Sequence, residues 1–157
     1  PRQTIRIKIL MVCLGNICRS PLAEGILSSK LPKDKFIVES AGTSSFHSGN
    51  PPDPRSIEIA EKYNLDISKQ KSRVFNLYDF ESFDLIFVMD KVNYCDIIKL
   101  TKNKSEQNKV RLIMDYPGSN MIEVPDPYYG GTKGFKNIFT LLNNACNYHS
   151  KQLTNSL

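Results

Sequence analysis

The segment from Cys13 to Ser20 combines residue types that suit phosphate chemistry. Gly15 and Asn16 adopt positive φ most easily, and such a turn points successive backbone N–H groups inward as a nest for an anion. Arg19 can hold two oxygens of one phosphate with its planar guanidinium. The same positive surroundings favour the thiolate form of Cys13, which is the nucleophilic form. We expect the loop residues Leu14, Gly15, Asn16, Ile17, Cys18 and Ser20 to surround the anion.

Two other interpretations of Cys13 and Cys18 must be weighed. Either thiol taken alone is more often an inert buried side chain, but the positions of Gly15, Asn16 and Arg19 around Cys13 argue against this. The C-x4-C spacing also falls within the range of zinc ligand pairs. A second compact ligand pair is missing from the sequence, because the other cysteines and histidines are scattered: Cys95, Cys146, His47 and His149. We therefore predict no metal and no cofactor.

A second reactive group is indicated at Asp126, between Pro125 and Pro127. Cleavage of an aryl phosphate needs a proton donor for the departing phenolate, and a carboxylic acid can supply it. The residue before a proline is driven toward extended geometry, so the two prolines stiffen the loop and present the carboxyl group. An ordinary rigid turn is the alternative. The side chains predicted to wall a cleft for a flat ring are Leu14, Phe46, Tyr128 and Tyr129.

Strands that alternate with helices are predicted to position these groups. Strands are indicated over Ile5–Val12, over Phe36–Val38 with an end at Ser40-Ala41-Gly42, over Phe83–Met89 and over Val110–Met114. Helices are indicated after Ser20, which we expect to be an N-cap, after Asp53, over Lys91–Leu100, and along an apolar stripe from Phe135 to His149. The polar stretch Lys102–Lys109 is expected to be an exposed loop.

This order of elements predicts an α/β fold, an open twisted four-stranded parallel sheet with helices on both faces, similar to a Rossmann fold. Ligands of such sheets bind beyond the carboxyl ends of the strands, at a topological switch point. The first predicted strand ends at Val12, directly before Cys13. The sequence therefore places the cysteine loop where such folds bind ligands.

Composition narrows the class of protein further. The 157 residues predict one domain over residues 1–157, and 40% hydrophobic with 24% charged residues is typical of a globular chain. No apolar run approaches the roughly 18 residues of a membrane span. A net charge of +5 favours anionic partners, although simple solubility explains it equally well. The lysines are dispersed, which disfavours nucleic acid. Four cysteines and no signal-peptide segment predict a reducing, cytoplasmic location.

The sequence resembles the low-molecular-weight protein tyrosine phosphatase family over roughly residues 5–150. The loop Cys13-x5-Arg19-Ser20 follows the first strand, and four further segments resemble family segments in the expected order: 40–44, 50–55, 84–90 and 124–130. The resemblance implies hydrolysis of phosphotyrosine and small aryl phosphates, with acid phosphatase activity. It implies Cys13 as nucleophile, Arg19 as phosphate ligand and Asp126 as general acid and then base. The implied partners are phosphotyrosine proteins or phosphate esters, with phosphate, vanadate or sulfate as active-site anions.

The resemblance also implies supporting roles. Ser40 is expected to bond Asn16, and Asp90 to support Arg19, although Asp90 is equally placed to cap the helix that follows it. Ser20 is expected to donate to the Cys13 thiolate. Phe46 and His47 take variable rim positions that tune substrate preference. Cys18 is the expected redox partner of Cys13, forming a reversible disulfide under peroxide.

Two other functions compete with this interpretation. An arsenate reductase shares this fold and loop in one branch, but it relays a disulfide through two further cysteines that lie close together in a loop. Cys95 and Cys146 are far apart in the sequence. A non-catalytic phosphate-binding module is disfavoured because Cys13, Arg19 and Asp126 are all present.

Overall fold

The computed structural model describes residues 5–127 and 131–157. The strands of this part of the chain are β1 (Ile7–Cys13), β2 (Phe36–Gly42), β3 (Leu85–Val88) and β4 (Val110–Leu112). The helices are α1 (Arg19–Lys30), α2 (Pro54–Lys62), α3 (Asp79–Ser82), α4 (Lys91–Ile98), α5 (Lys104–Lys109) and α6 (Gly131–Asn155). No helix in these two ranges is both long and apolar enough to cross a bilayer.

The four strands form one parallel sheet in the order β2-β1-β3-β4. The chain leaves β1 for β2 on one side and returns to β3 on the other, which makes the carboxyl end of β1 a topological switch point. Cys13 is the last residue of β1 and pairs with Gly42 of β2. The predicted fold class is therefore confirmed, and the cysteine loop leaves the sheet at the expected place.

Strand β1 is buried on both of its faces. Ile9 and Met11 pack into one hydrophobic cluster, with residues of α1, α2 and α6, while Leu10 and Val12 pack into a second cluster, with residues of α3 and α4. Successive side chains of a strand point to opposite faces, so one continuous apolar segment serves both clusters. All four side chains are fully inaccessible to solvent. Layers of helices on both faces thus hold the end of β1 rigidly.

Several predicted element boundaries are wrong by a few residues. The predicted strand Phe83–Met89 is shortened to Leu85–Val88, and the predicted strand Val110–Met114 ends at Leu112. Helix α1 begins at Arg19 rather than after Ser20, so Ser20 lies within the first turn and is not the N-cap. Its hydroxyl faces the Cys13 sulfur instead.

Helices α2 and α5 show how local capping decides helix starts. Helix α2 begins after Asp53 as predicted, and Asp53 caps it, since its carboxylate accepts a hydrogen bond from the Arg55 N–H at 2.8 Å. The polar stretch predicted as a loop contains α5, because Asn103 caps it by accepting from the Glu106 N–H at 2.9 Å. An asparagine N-cap satisfies one of the unpaired amides of the first turn, which makes even a short polar helix favourable.

Candidate active site

A cavity of about 430 Å³ opens at the carboxyl end of β1. The cysteine loop forms its floor, and residues from distant parts of the chain form its walls. The lining residues are Cys13, Leu14, Gly15, Ile17, Cys18, Arg19, Ser44, Phe46, His47 and Asp126. The structure thus brings the three predicted catalytic residues to one cavity.

The backbone of the loop turns at Asn16, which has a φ of 56°. Gly15 does not share this conformation, so the expectation of positive φ holds for Asn16 and is wrong for Gly15. Gly15 instead permits a close approach, because a Cβ atom there would lie 3.0 Å from the His47 ring. The loop is pinned to the segment after β2, where the Ser44 N–H donates to the Leu14 carbonyl at 2.9 Å.

Two donors surround the buried sulfur of Cys13. The Asn16 N–H donates to the sulfur at 3.3 Å, and the Ser20 hydroxyl lies 3.0 Å from it. The side-chain amide of Asn16 donates to the Ser20 oxygen at 2.7 Å, which leaves the Ser20 proton to point at the sulfur. Both contacts stabilise a negative charge on sulfur, since hydrogen bonds to an ionised group are stronger than neutral ones.

Arg19 is buried and its guanidinium is held on one side. One terminal nitrogen, Nη1, donates to Asp90 at 2.6 Å and to the Val124 carbonyl at 2.9 Å. The other, Nη2, lies 3.9 Å from the Asp126 carboxylate. Burial alone would lower the pKa of Arg19, but the charges of Cys13, Asp90 and Asp126 outweigh burial and raise it. The guanidinium therefore stays cationic beside the cavity.

Asp90 takes both of the roles that were weighed for it. One carboxylate oxygen accepts the Asn93 N–H at 2.8 Å and caps α4, and the Asn93 side chain accepts the Asp90 N–H in return. The second oxygen accepts from Arg19. One side chain thus couples the start of a helix to the buried Arg19 guanidinium.

Asp126 lies at the edge of the cavity with its side chain about half exposed. The segment that carries it is fixed to the sheet by Val124, whose N–H donates to the Met89 carbonyl at 2.8 Å. A half-exposed carboxyl at a cavity edge can exchange protons with both water and a bound ester. Tyr128 and Tyr129, predicted as rim residues, lie outside the described residues.

The predicted rim is present on the side of the cavity that the structure describes. Phe46 is 84% exposed, and its ring meets the His47 ring edge-on with 4.8 Å between centroids. Leu14 is 48% exposed beside them. These side chains provide an apolar surface at the cavity mouth.

Ser40 is not the partner of Asn16. Its hydroxyl donates to the Glu24 carboxylate at 2.7 Å, and the Asn16 side-chain oxygen accepts instead from the Arg73 N–H at 3.1 Å. A carboxylate is a strong acceptor for a serine hydroxyl. Burial raises the pKa of Glu24 to about 7.

Cys18 is a buried thiol that lines the same cavity as Cys13. Burial, followed by the nearby charges of Asp53, Cys13 and Asp126, raises the pKa of Cys18 to about 12. Cys18 therefore stays protonated near neutral pH.

Three supports of the loop were not predicted from the sequence. The Asp53 N–H donates to the Ile17 carbonyl at 2.8 Å, and the Ser56 hydroxyl donates to the Cys18 carbonyl at 3.3 Å. Arg73 holds Asn16 from a segment more than 50 residues away. An aspartate before a proline signals a helix cap, but no sequence signal marks its second contact with the loop.

The structure also bears on the metal question. Within residues 5–127 and 131–157, no three His, Cys, Asp or Glu side chains come close enough together to hold a metal ion. His149, on the apolar stripe of α6, is instead a core residue whose Nε2 lies 2.7 Å from the Ile113 carbonyl oxygen. The prediction that the site needs no metal remains a prediction.

Comparison with known proteins defines the class. The family model described as low molecular weight phosphotyrosine protein phosphatase matches residues 8–157. The low molecular weight phosphotyrosine protein phosphatase of Schizosaccharomyces pombe is 40% identical over 147 residues, which cover 89% of this chain and 92% of that protein. Its counterpart from Homo sapiens is 35% identical over 144 residues, covering 88% and 90%.

Solved structures agree with the sequence comparison. A crystal structure of a protein tyrosine phosphatase from Entamoeba histolytica superposes with a TM-score of 0.88 at 36% identity, covering 96% of this chain and 99% of that one. The structure of YfkJ from Bacillus subtilis gives a TM-score of 0.89 at 31% identity and covers 99% of each chain. The chain therefore belongs to the low molecular weight phosphotyrosine protein phosphatase family. The family and the enzyme class expected from the sequence are confirmed.

Proposed function

We propose that this chain hydrolyses phosphotyrosine in proteins, and small aryl phosphates, in two steps through a phosphocysteine intermediate. The main support for the proposal is the set of groups that surround the Cys13 sulfur. Cys13 accepts two hydrogen bonds at the floor of a cavity that also contains the Arg19 guanidinium and the Asp126 carboxyl group. Nucleophile, anion ligand and proton donor are thus within reach of one bound ester.

In the first step the Cys13 thiolate attacks phosphorus. The sulfur–phosphorus bond forms as the bond from phosphorus to the phenolic oxygen breaks, and Asp126 transfers its proton to that oxygen. Arg19 and the loop N–H groups hold the three equatorial oxygens. Fixed donors aimed at these oxygens stabilise the charge of the transition state, which is the main source of acceleration in phosphoryl transfer.

In the second step water attacks the phosphocysteine. Asp126, now a carboxylate, takes a proton from the attacking water as the water oxygen bonds to phosphorus, and the sulfur–phosphorus bond breaks. Cys13 leaves as a thiolate, stabilised by Ser20 and by the Asn16 N–H. Inorganic phosphate is released and the enzyme returns to its starting state.

The shape and lining of the cavity support aryl substrates. A cavity of about 430 Å³ accommodates a phosphate group with an aromatic ring. Phe46 and His47 line it on one side, where an aromatic ring can make offset or edge contacts. Phosphate, vanadate and sulfate are proposed as active-site anions because they present the same tetrahedral oxygens to the loop.

A cysteine replacement tests the nucleophile. We expect Cys13→Ser to abolish hydrolysis of p-nitrophenyl phosphate while retaining vanadate binding, because the loop donors and Arg19 are unchanged. Cys95→Ser is the matched control, since Cys95 is exposed on α4, outside the residues that line the cavity. Turnover near the wild-type rate in Cys13→Ser would remove Cys13 as the nucleophile.

We also propose that Cys18 protects Cys13 from irreversible oxidation. Peroxide oxidises the Cys13 thiolate to a sulfenic acid and releases hydroxide. The Cys18 sulfur then attacks the sulfenic sulfur, and the proton of the Cys18 thiol leaves with the sulfenic hydroxyl group as water while the disulfide forms. Burial of both thiols at one cavity supports the proposal. Mass spectrometry of the peroxide-treated protein should find the Cys13–Cys18 bridge, and its absence would reject the proposal.

The alternative functions receive less support. Cys146 is fully buried in the core on α6, and Cys95 is exposed on α4, so these two thiols are poorly placed for the disulfide relay of an arsenate reductase. An assay with arsenate and thioredoxin should show no turnover. The cytoplasmic location stays a prediction from the sequence.

A further inference from the structure

The orientation of the Asn16 side chain is set by Arg73, which lies outside the loop. The Arg73 N–H donates to the Asn16 side-chain oxygen at 3.1 Å. The Arg73 carbonyl accepts the Gly42 N–H at 2.8 Å, at the end of β2. The backbone of Arg73 is thus fixed between the sheet and the phosphate loop.

The hydrogen bonds that connect Arg73 to the Cys13 sulfur fix which group donates and which accepts at each step. Because the Asn16 oxygen accepts from Arg73, the Asn16 nitrogen faces Ser20 and donates to its oxygen at 2.7 Å. Ser20 accepts that bond and has its own proton left for the Cys13 sulfur, 3.0 Å away. If Asn16 rotated by half a turn, its oxygen would face Ser20 and draw the Ser20 proton away from Cys13.

Arg73 is anchored by a carboxylate outside the cavity lining. Both terminal nitrogens of its guanidinium donate to Asp79, at 3.0 and 3.1 Å. Asp79 is 5% exposed, and it also accepts the Asn76 N–H at 2.9 Å. A two-point contact between a guanidinium and a buried carboxylate restricts both side chains more than a single hydrogen bond does.

We propose that Arg73 and Asp79 are positioning residues for the nucleophile. The Asp79 carboxylate fixes Arg73, Arg73 fixes Asn16, and Asn16 directs the Ser20 proton to the Cys13 thiolate. The proposal rests on the proposed function, in which that thiolate attacks phosphorus. Neither residue lines the cavity, so their effect is on the state of the sulfur and not on contact with substrate.

The test compares Asp79→Asn and Arg73→Lys with the wild-type protein. The rate at which iodoacetamide alkylates Cys13 is measured at about pH 5 and about pH 9, because only the thiolate reacts. We expect the rate at the lower pH, divided by the rate at the higher pH, to fall about tenfold in Asp79→Asn. The value of kcat/KM for p-nitrophenyl phosphate at about pH 5 should fall by a similar factor. Arg73→Lys retains the charge but not the two-point contact, so its effect should be in the same direction and smaller.

Two controls separate positioning from loss of structure. The inhibition constant of inorganic phosphate should change little, because phosphate forms no bond to the sulfur and the contact of Arg19 with Asp90 is unaltered. Asp84→Asn should match the wild type, since Asp84 bonds the Lys8 N–H at the opposite end of the sheet. If Asp79→Asn does not fold, as judged by circular dichroism, Arg73→Lys decides the question.

The outcomes distinguish this proposal from the proposed function. A wild-type pH dependence of alkylation in a folded Asp79→Asn or Arg73→Lys variant would overturn the positioning role alone. If Cys13→Ser retained turnover, the proposed function itself would fail. A lowered alkylation ratio with unchanged affinity for inorganic phosphate would support both.

Discussion

Replacing Asp90 by asparagine separates its two contacts. Asparagine still offers an oxygen to the Asn93 N–H, so the cap of α4 is retained. The charged hydrogen bond to Arg19, 2.6 Å long between a 3% exposed and a 20% exposed side chain, is lost. Hydrogen bonds to charged groups contribute about 2 kcal/mol, which corresponds to roughly a thirtyfold change in an equilibrium.

We expect this loss to lower activity more than stability. The Arg19 guanidinium keeps its bond to the Val124 carbonyl and remains 3.9 Å from Asp126. It is nevertheless free to tilt, which misplaces the donors for the phosphate oxygens. The predicted fall in kcat/KM for p-nitrophenyl phosphate is about thirtyfold, accompanied by weaker binding of inorganic phosphate.

The matched controls isolate each contact. Asp90→Ala removes the anchor and the cap together, so it should unfold more easily than Asp90→Asn by about 1 kcal/mol in urea denaturation. Asn103→Ala removes only the cap of α5 and should lower stability by a similar amount without changing kcat/KM. Wild-type kcat/KM and phosphate affinity in Asp90→Asn would refute the inference that Asp90 holds Arg19 in place.

Two further predictions concern carboxyl groups. Asp126→Ala should slow esters with poor leaving groups about a hundredfold or more, and p-nitrophenyl phosphate much less, because only poor leaving groups need the proton; equal slowing in steady-state assays would contradict the general acid. Burial raises the pKa of Glu24 from 4.5 to about 7, so the folded state binds the proton more tightly than the unfolded chain. This contribution to stability is complete below about pH 4.5 and is lost as the pH rises through about 7, by about 3 kcal/mol in total. In Glu24→Gln, the free energy of unfolding measured in urea should fall less as the pH rises. A dependence on pH equal to that of the wild type would contradict the raised pKa of Glu24.

Much of the fold was predictable because its signals are local. The apolar run of β1 is buried on both faces, and such a run predicts a central parallel strand. The stripe from Phe135 to His149 appears as the buried face of α6. Helix α3 was not predicted, since the four residues Asp79–Ser82 are too short for a periodic pattern.

The candidate site was likewise predictable where its signals are local and not where they depend on tertiary packing. Cys13, Asn16 and Arg19 lie in one short loop, so their proximity follows from chain connectivity. The role of Asp126 came from the resemblance and from its flanking prolines. Ser40 was assigned to Asn16 but bonds Glu24, because the acceptor that a side chain reaches depends on positions that only the packed structure sets.

The amino-acid sequence by itself determined the cysteine loop, the strand that precedes it and the family. Tertiary structure alone decided which distant groups support that loop. The bonds from Arg19 to Asp90 and from Arg73 to Asn16 join residues 71 and 57 positions apart. Such contacts leave no periodic or local pattern, because each depends on where whole helices and strands bring the side chains after the core has packed.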